Sequence, residues 1–216
     1  MTDYDLIVIC GIPRSGTTYI HDLFSGAWHR TEQYSNWMGC GFNTNGTSEP
    51  ACIAEKFIDG DDPWAAIQSF VKEKRDELPN HTVVYKHPQL FSYPFNENEF
   101  PFKTFFIFCH RKYDGWEKSA LDHGISSLIS YPFLFDWVKR IWTNSHDEPQ
   151  HPDERLKVFH EMAIKRIMEA NKEVKNGVLF SYDDPLTGIR RIIDGLGIDK
   201  DPRYIFENTW KPTRKG

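Results

Sequence analysis

The segment that most constrains this chain is Gly11-Ile-Pro-Arg14-Ser15-Gly16-Thr17-Thr18, which follows directly on the apolar run Leu6-Ile-Val-Ile-Cys10. The run predicts a buried strand, and the glycines flanking Arg14 and Ser15 predict a tight turn into a helix opening near Thr17. Strand, glycine-rich turn and helix start bring several backbone N–H groups to one point, where the helix dipole adds partial positive charge. Such a nest takes a phosphate, and the hydroxyls of Ser15, Thr17 and Thr18 are further donors. Glycine and serine also serve ordinary strand–helix turns, but the position straight after an apolar strand favours the anion site.

Three more short apolar runs, at residues 82–85, 104–109 and 178–180, read as strands alongside residues 6–10. Their apolarity is continuous rather than alternating, as expected of a parallel sheet covered on both faces. Helical patterns fill residues 17–28, 63–77, 113–122, 132–144, 152–176 and 185–196, and Pro63, Pro132, Pro152 and Pro185 stand near their starts, where proline is tolerated. Alternating strands and helices over 216 residues predict one three-layer α/β domain with a central parallel sheet and a P-loop-like turn, spanning residues 1–216. Residues 34–60 break the pattern: rich in Gly, Asn, Ser and Thr, with Trp37, Met38 and Phe42 among them, they read as a substrate-gripping insertion.

Composition narrows the partners. Hydrophobic residues make up 39% and aromatics 15%, which favours a packed globule over disorder. A formal charge of −5 offers no general attraction to nucleic acid or to an anionic membrane, so neither is expected as a partner. No apolar run approaches the roughly 20 residues needed to cross a bilayer. Asp3 and Asp5 stand where a signal peptide would be positive, so a cytoplasmic location is expected. Cys10, Cys40, Cys52 and Cys109 show no metal-binding spacing, and Cys10 and Cys109 read as buried free thiols.

The turn keeps the glycine spacing of a P-loop but carries Thr17 where nucleoside triphosphatases have lysine, and its cation has moved to Arg14 inside the loop. Pro13-Arg14-Ser15-Gly16-Thr17-Thr18 resembles the Pro-Lys/Arg-Ser-Gly-Thr-Thr loop of the sulfotransferases that use 3′-phosphoadenosine 5′-phosphosulfate (PAPS). In style it is closest to the tyrosylprotein and bacterial carbohydrate enzymes. Two further stations follow in family order. Arg111 ends the run 105–111 and Ser119 comes eight residues later, like the pair that holds the 3′-phosphate in that family. Arginine suits the task because its planar fork donates two hydrogen bonds at once. Val178-Leu-Phe-Ser-Tyr182-Asp-Asp-Pro185 resembles the family's third segment, which implies Tyr182 near the adenine and Tyr19 as a second stacking ring. The resemblance thus covers most of the chain, and implies PAPS as donor, 3′-phosphoadenosine 5′-phosphate (PAP) as product, and no metal.

Sulfuryl transfer shares the logic of phosphoryl transfer: in-line displacement with charge to stabilise on the leaving oxygen, and an acceptor proton to remove. Arg14 is the first candidate for that charge and Lys86, in Tyr85-Lys86-His87-Pro88, the second; the resemblance to a Lys-Asp-Pro segment is broken by His87 in place of aspartate. His87 titrates in the right range for a general base, ahead of Glu32, which lies in the region where tyrosylprotein enzymes carry a glutamate. Arg214-Lys215-Gly216 invites comparison with a 3′-phosphate grip but reads as a solvated end. Trp37, Phe42, Phe133 and Trp137 stand as stacking rings for an acceptor or as core; the acceptor itself is a small molecule, a glycan or a peptide. The alternatives are a P-loop small-molecule or nucleotide kinase, which the missing lysine opposes, and a non-catalytic module that binds PAP or PAPS.

Overall fold

The computed structural model describes residues 3–25, 63–77, 82–95, 101–122, 124, 136–142 and 152–210. Its centre is a sheet of four parallel strands in the order β2-β1-β3-β4: β1 (Leu6–Gly11), β2 (Val83–Lys86), β3 (Thr104–His110) and β4 (Gly177–Ser181). Register is set by pairs such as Val8↔Tyr85, Val8↔Phe106 and Phe108↔Leu179. Because strand side chains alternate, β1 feeds two cores: Leu6, Val8 and Cys10 join one, Ile7 and Ile9 the other. Burial on both faces explains why the run contains no polar residue.

Two helical layers cover these faces. Helices α1 (Thr17–Ser25), α6 (Pro185–Leu196) and α7 (Pro202–Thr209) supply Ile20, Leu23, Ile189, Ile192 and Ile205 to the core containing Ile7. The other face is closed by α2 (Pro63–Glu77), α3 (Tyr113–Asp122), α4 (Asp136–Trp142) and α5 (Pro152–Glu173), together with a 3₁₀ turn at Pro88–Ser92. The starts of α6 and α7 follow from sequence: Asp184 and Asp201 cap them through Thr187 N–H and Arg203 N–H, each with proline next in line. Gly197, at φ 64°, stops α6 in the left-handed conformation.

The four expected strands are all present, and the expected α/β class with a parallel sheet is the one observed. α7 was not anticipated, because only a few apolar residues mark its buried face. The proposed insertion at 34–60 lies outside the described residues. Cys10 and Cys109 are buried free thiols, as expected, and burial pushes both thiols up in pKa. Among the described residues no helix is long and apolar enough to cross a membrane.

Chain order decides where a ligand belongs. β2 lies on one side of β1 and β3 on the other, so connections leave the sheet in opposite directions at the β1/β3 junction. The carboxyl ends of the strands at such a junction are the usual ligand position in open α/β sheets.

Candidate anion-binding site

The loop after β1 occupies that junction. At Gly11, φ is 151° and a Cβ would stand 2.0 Å from the Cys109 carbonyl oxygen, so only glycine lets β1 and β3 approach this closely. Arg14 follows in the left-handed region at φ 71°, the sole positive-φ residue other than glycine among those described. Its neighbour Ser15 is fully buried, and its Oγ donates to the Cys109 carbonyl at 3.0 Å while its N–H reaches Ile12 O at 3.2 Å. The Ser15 hydroxyl, expected to face a phosphate, instead braces the loop against β3. Gly16, at φ 94°, leaves room for the Tyr182 ring, whose Cδ2 lies 2.9 Å from where a Cβ would be. α1 then begins at Thr17, and helix geometry leaves its first N–H groups without intrahelical acceptors. Thr17 is buried and Thr18 exposed.

The end of β3 joins this loop. Arg14 Nε donates to Ser119 Oγ at 3.1 Å, bringing together two residues 105 positions apart. The Arg111 guanidinium lies over the Tyr182 ring, 4.3 Å from its centroid, and against Gly115, where a side chain would collide with it. Arg111 Nε is buried and, among the described residues, has no hydrogen-bond partner. Desolvation, with a further push from the Arg111 charge and against the pull of Tyr182, lowers the pKa of Arg14. The two guanidinium charges thus act on each other, and among the described residues neither has a carboxylate partner. An anion would relieve both their repulsion and their desolvation.

Tyr182, just beyond β4, is locked by its N–H to His110 O at 2.9 Å, and Asp183 accepts from Lys112 N–H at 2.6 Å. One face of its ring therefore belongs to Arg111. On the other side of the loop, buried Tyr19 hydrogen-bonds to Thr209 Oγ1 at 2.8 Å; because the Thr209 hydroxyl donates to Ile205 O, Tyr19 is the donor. Trp210 packs on both tyrosines, 4.8 Å from Tyr19 and 4.7 Å from Tyr182. This tryptophan is half-buried, and the one local sign of its placement is the helix start at Asp201-Pro202 just upstream.

Lys86 ends β2 opposite Ile9, which puts it on the same carboxyl edge as the loop, half-buried. His87 is 2% exposed and donates its backbone N–H to Ile9 O at 2.9 Å. Burial pulls its imidazole pKa down to about 4, with a backbone hydrogen bond opposing the shift, so the ring is neutral at pH 7. Trp137 is buried against Phe159 and belongs to the core rather than to an acceptor pocket. Glu32, Trp37, Phe42, Phe133 and Arg214-Lys215-Gly216 lie outside the described residues.

Comparison with known proteins adds to this geometry. No protein-family model matches the chain, and no curated protein does. Among solved structures, the sulfotransferase domain from the curacin biosynthetic pathway superposes with a TM-score of 0.52 at 13% sequence identity, covering 100% of this chain and 81% of that domain. At this identity the likeness is one of fold.

Proposed function

We propose that this chain is a sulfotransferase that moves the sulfuryl group of PAPS to a hydroxyl or amine of an acceptor. The observation that carries this reading is the meeting of Arg14, held by Ser119, and Arg111, seated on Tyr182, at the β1/β3 junction, without carboxylate neutralisation among the described residues. A donor with two anionic groups matches two guanidinium groups. The start of α1 takes the 5′-phosphate through the N–H groups of Gly16, Thr17 and Thr18, and Arg111 with Ser119 takes the 3′-phosphate. Tyr19, Tyr182 and Trp210 flank the space between for the base.

In the transfer step an acceptor oxygen or nitrogen lone pair forms a bond to sulfur while the bond from sulfur to the bridging oxygen of the 5′-phosphate breaks. Arg14 stabilises the charge that collects on that oxygen, aided by Lys86 from the neighbouring strand end. PAP leaves and the acceptor proton passes to a base. A neutral imidazole at His87 has the acceptor lone pair, although its low pKa makes it a weak base; Glu32 is the second candidate. No metal is needed, since cationic side chains neutralise the charge.

Incubation with sulfur-labelled PAPS and a panel of phenols, sugars and tyrosine peptides tests the proposal. Label should move to at least one organic acceptor in the presence of EDTA. Absence of transfer across the panel, alongside magnesium-dependent phosphoryl transfer from ATP, would replace this reading with a kinase.

A further inference from the structure

We propose that Trp116 and His160 are positioning residues for the two arginines, each governing a different phosphate of the donor. The inference rests on the sulfotransferase reading above. Trp116, on α3, is fully buried, and its Nε1–H donates to the Pro13 carbonyl at 2.8 Å. That carbonyl belongs to the peptide unit entering Arg14, the residue held at φ 71°. His160, on α5, is 6% exposed, and its Nε2 lies 2.8 Å from the Arg111 carbonyl oxygen. A carbonyl only accepts, so Nε2 carries the proton. The two rings pack together with centroids 5.0 Å apart, and Tyr113 and Phe159 close around them at 5.4 Å and 6.3 Å.

One buried ring pair therefore holds the backbone beneath both guanidinium groups. Left-handed Arg14 needs support from its surroundings, because nothing local favours that conformation for a side chain of its size. Arg111 has a carbonyl fixed by His160 and a guanidinium seated on Tyr182, so its direction is set from both ends. Neither ring N–H is free to contact a ligand, since each is committed to a main-chain oxygen. Their effect on binding passes through the arginines alone. It also differs between them: Trp116 acts on the loop that takes the 5′-phosphate, His160 on the residue that takes the 3′-phosphate.

This division is measurable by titrating the whole chain with PAP and with adenosine 5′-monophosphate, which lacks the 3′-phosphate. His160→Leu should weaken PAP about tenfold and leave adenosine 5′-monophosphate within about twofold. His160→Gln, whose amide N–H can still donate, should recover most of that loss. Trp116→Phe, which keeps an aromatic ring and removes the donor, should weaken both ligands by a similar factor of about five. A His160→Leu variant that loses both ligands equally or neither, or a His160→Gln variant that rescues nothing, would overturn the inference while leaving the donor site standing. Should His160→Leu fail to fold, unchanged affinities in Trp116→Phe would overturn it equally. Wild-type protein that ignores PAP would overturn the sulfotransferase reading, and this inference with it.

Discussion

The carboxyl edge of the sheet is built in two ways. Where β1, β3 and β4 end, the strand ends are tied to one another and to the helices. Ser15 binds the β3 backbone, Arg14 binds Ser119, Trp116 holds Pro13, His160 holds Arg111, and Asp183 holds Lys112. Where β2 ends, Lys86 is placed by strand pairing opposite Ile9, and His87 by its N–H to Ile9 O and by burial. On the proposed function the first region is preorganised to receive the donor's fixed charge, which is where preorganisation lowers the cost of binding. The second places Lys86 on the same carboxyl edge from one neighbouring strand. On the proposed function, donor binding belongs to the first region and the transfer step also draws on the second.

Perturbations ranked by expected effect can break this contrast. Gly11→Ala should be the most damaging: a Cβ 2.0 Å from Cys109 O at φ 151° cannot be accommodated without parting β1 from β3. We expect a loss of roughly 4 kcal/mol in urea denaturation. A loss under about 0.5 kcal/mol, the range of neutral surface changes, would show that the two strands are not held together there.

Acid should act next, through the β2 end. His87 has its pKa depressed to about 4, against about 6.5 in an unfolded chain. The unfolded state therefore binds more protons between these values, so the contribution is complete above about pH 6.5 and lost as pH falls to about 4. It amounts to roughly 3 kcal/mol. His110 and His160, also lowered chiefly by desolvation, add in the same direction. Denaturant midpoints for wild type and His87→Gln across this window should differ in slope, and parallel curves would remove His87 from the account. Ser15→Ala should cost about 1–2 kcal/mol, by leaving the buried Cys109 carbonyl without its side-chain donor. Lys86→Ala should alter PAP affinity least, within about twofold, with its effect confined to the transfer step. A large affinity loss there would erase the contrast between the two regions.

The sheet and six of the helices were legible because their signals are local: continuous apolar runs, prolines at helix starts, a glycine turn after β1. The loop itself was equally plain, whereas Ser119, read with Arg111 from the eight-residue spacing, is hydrogen-bonded to Arg14. Three things escaped. α7 has a clear start at Asp201-Pro202 but buries chiefly Ile205 and Thr209, too few residues to register as a period, so Trp210 went with it. Ser15 was expected to face a ligand, because sequence shows a hydroxyl in an anion loop and not the strand carbonyl that captures it. His160 looked like one histidine among nine, set in the apolar stripe of Leu156, Phe159 and Ala163. Its partner carbonyl is 49 residues away, and Trp116 meets Pro13 across 103. Contacts that exist only after the chain folds leave no motif behind.

Calorimetric titration with PAP, in the presence and absence of magnesium, tests the central claim most directly. The account predicts binding that is indifferent to magnesium and weakened about 100-fold by Arg111→Ala, the loss expected when one partner of a desolvated charge pair is removed. No PAP binding, together with magnesium-dependent binding of ATP, would contradict it.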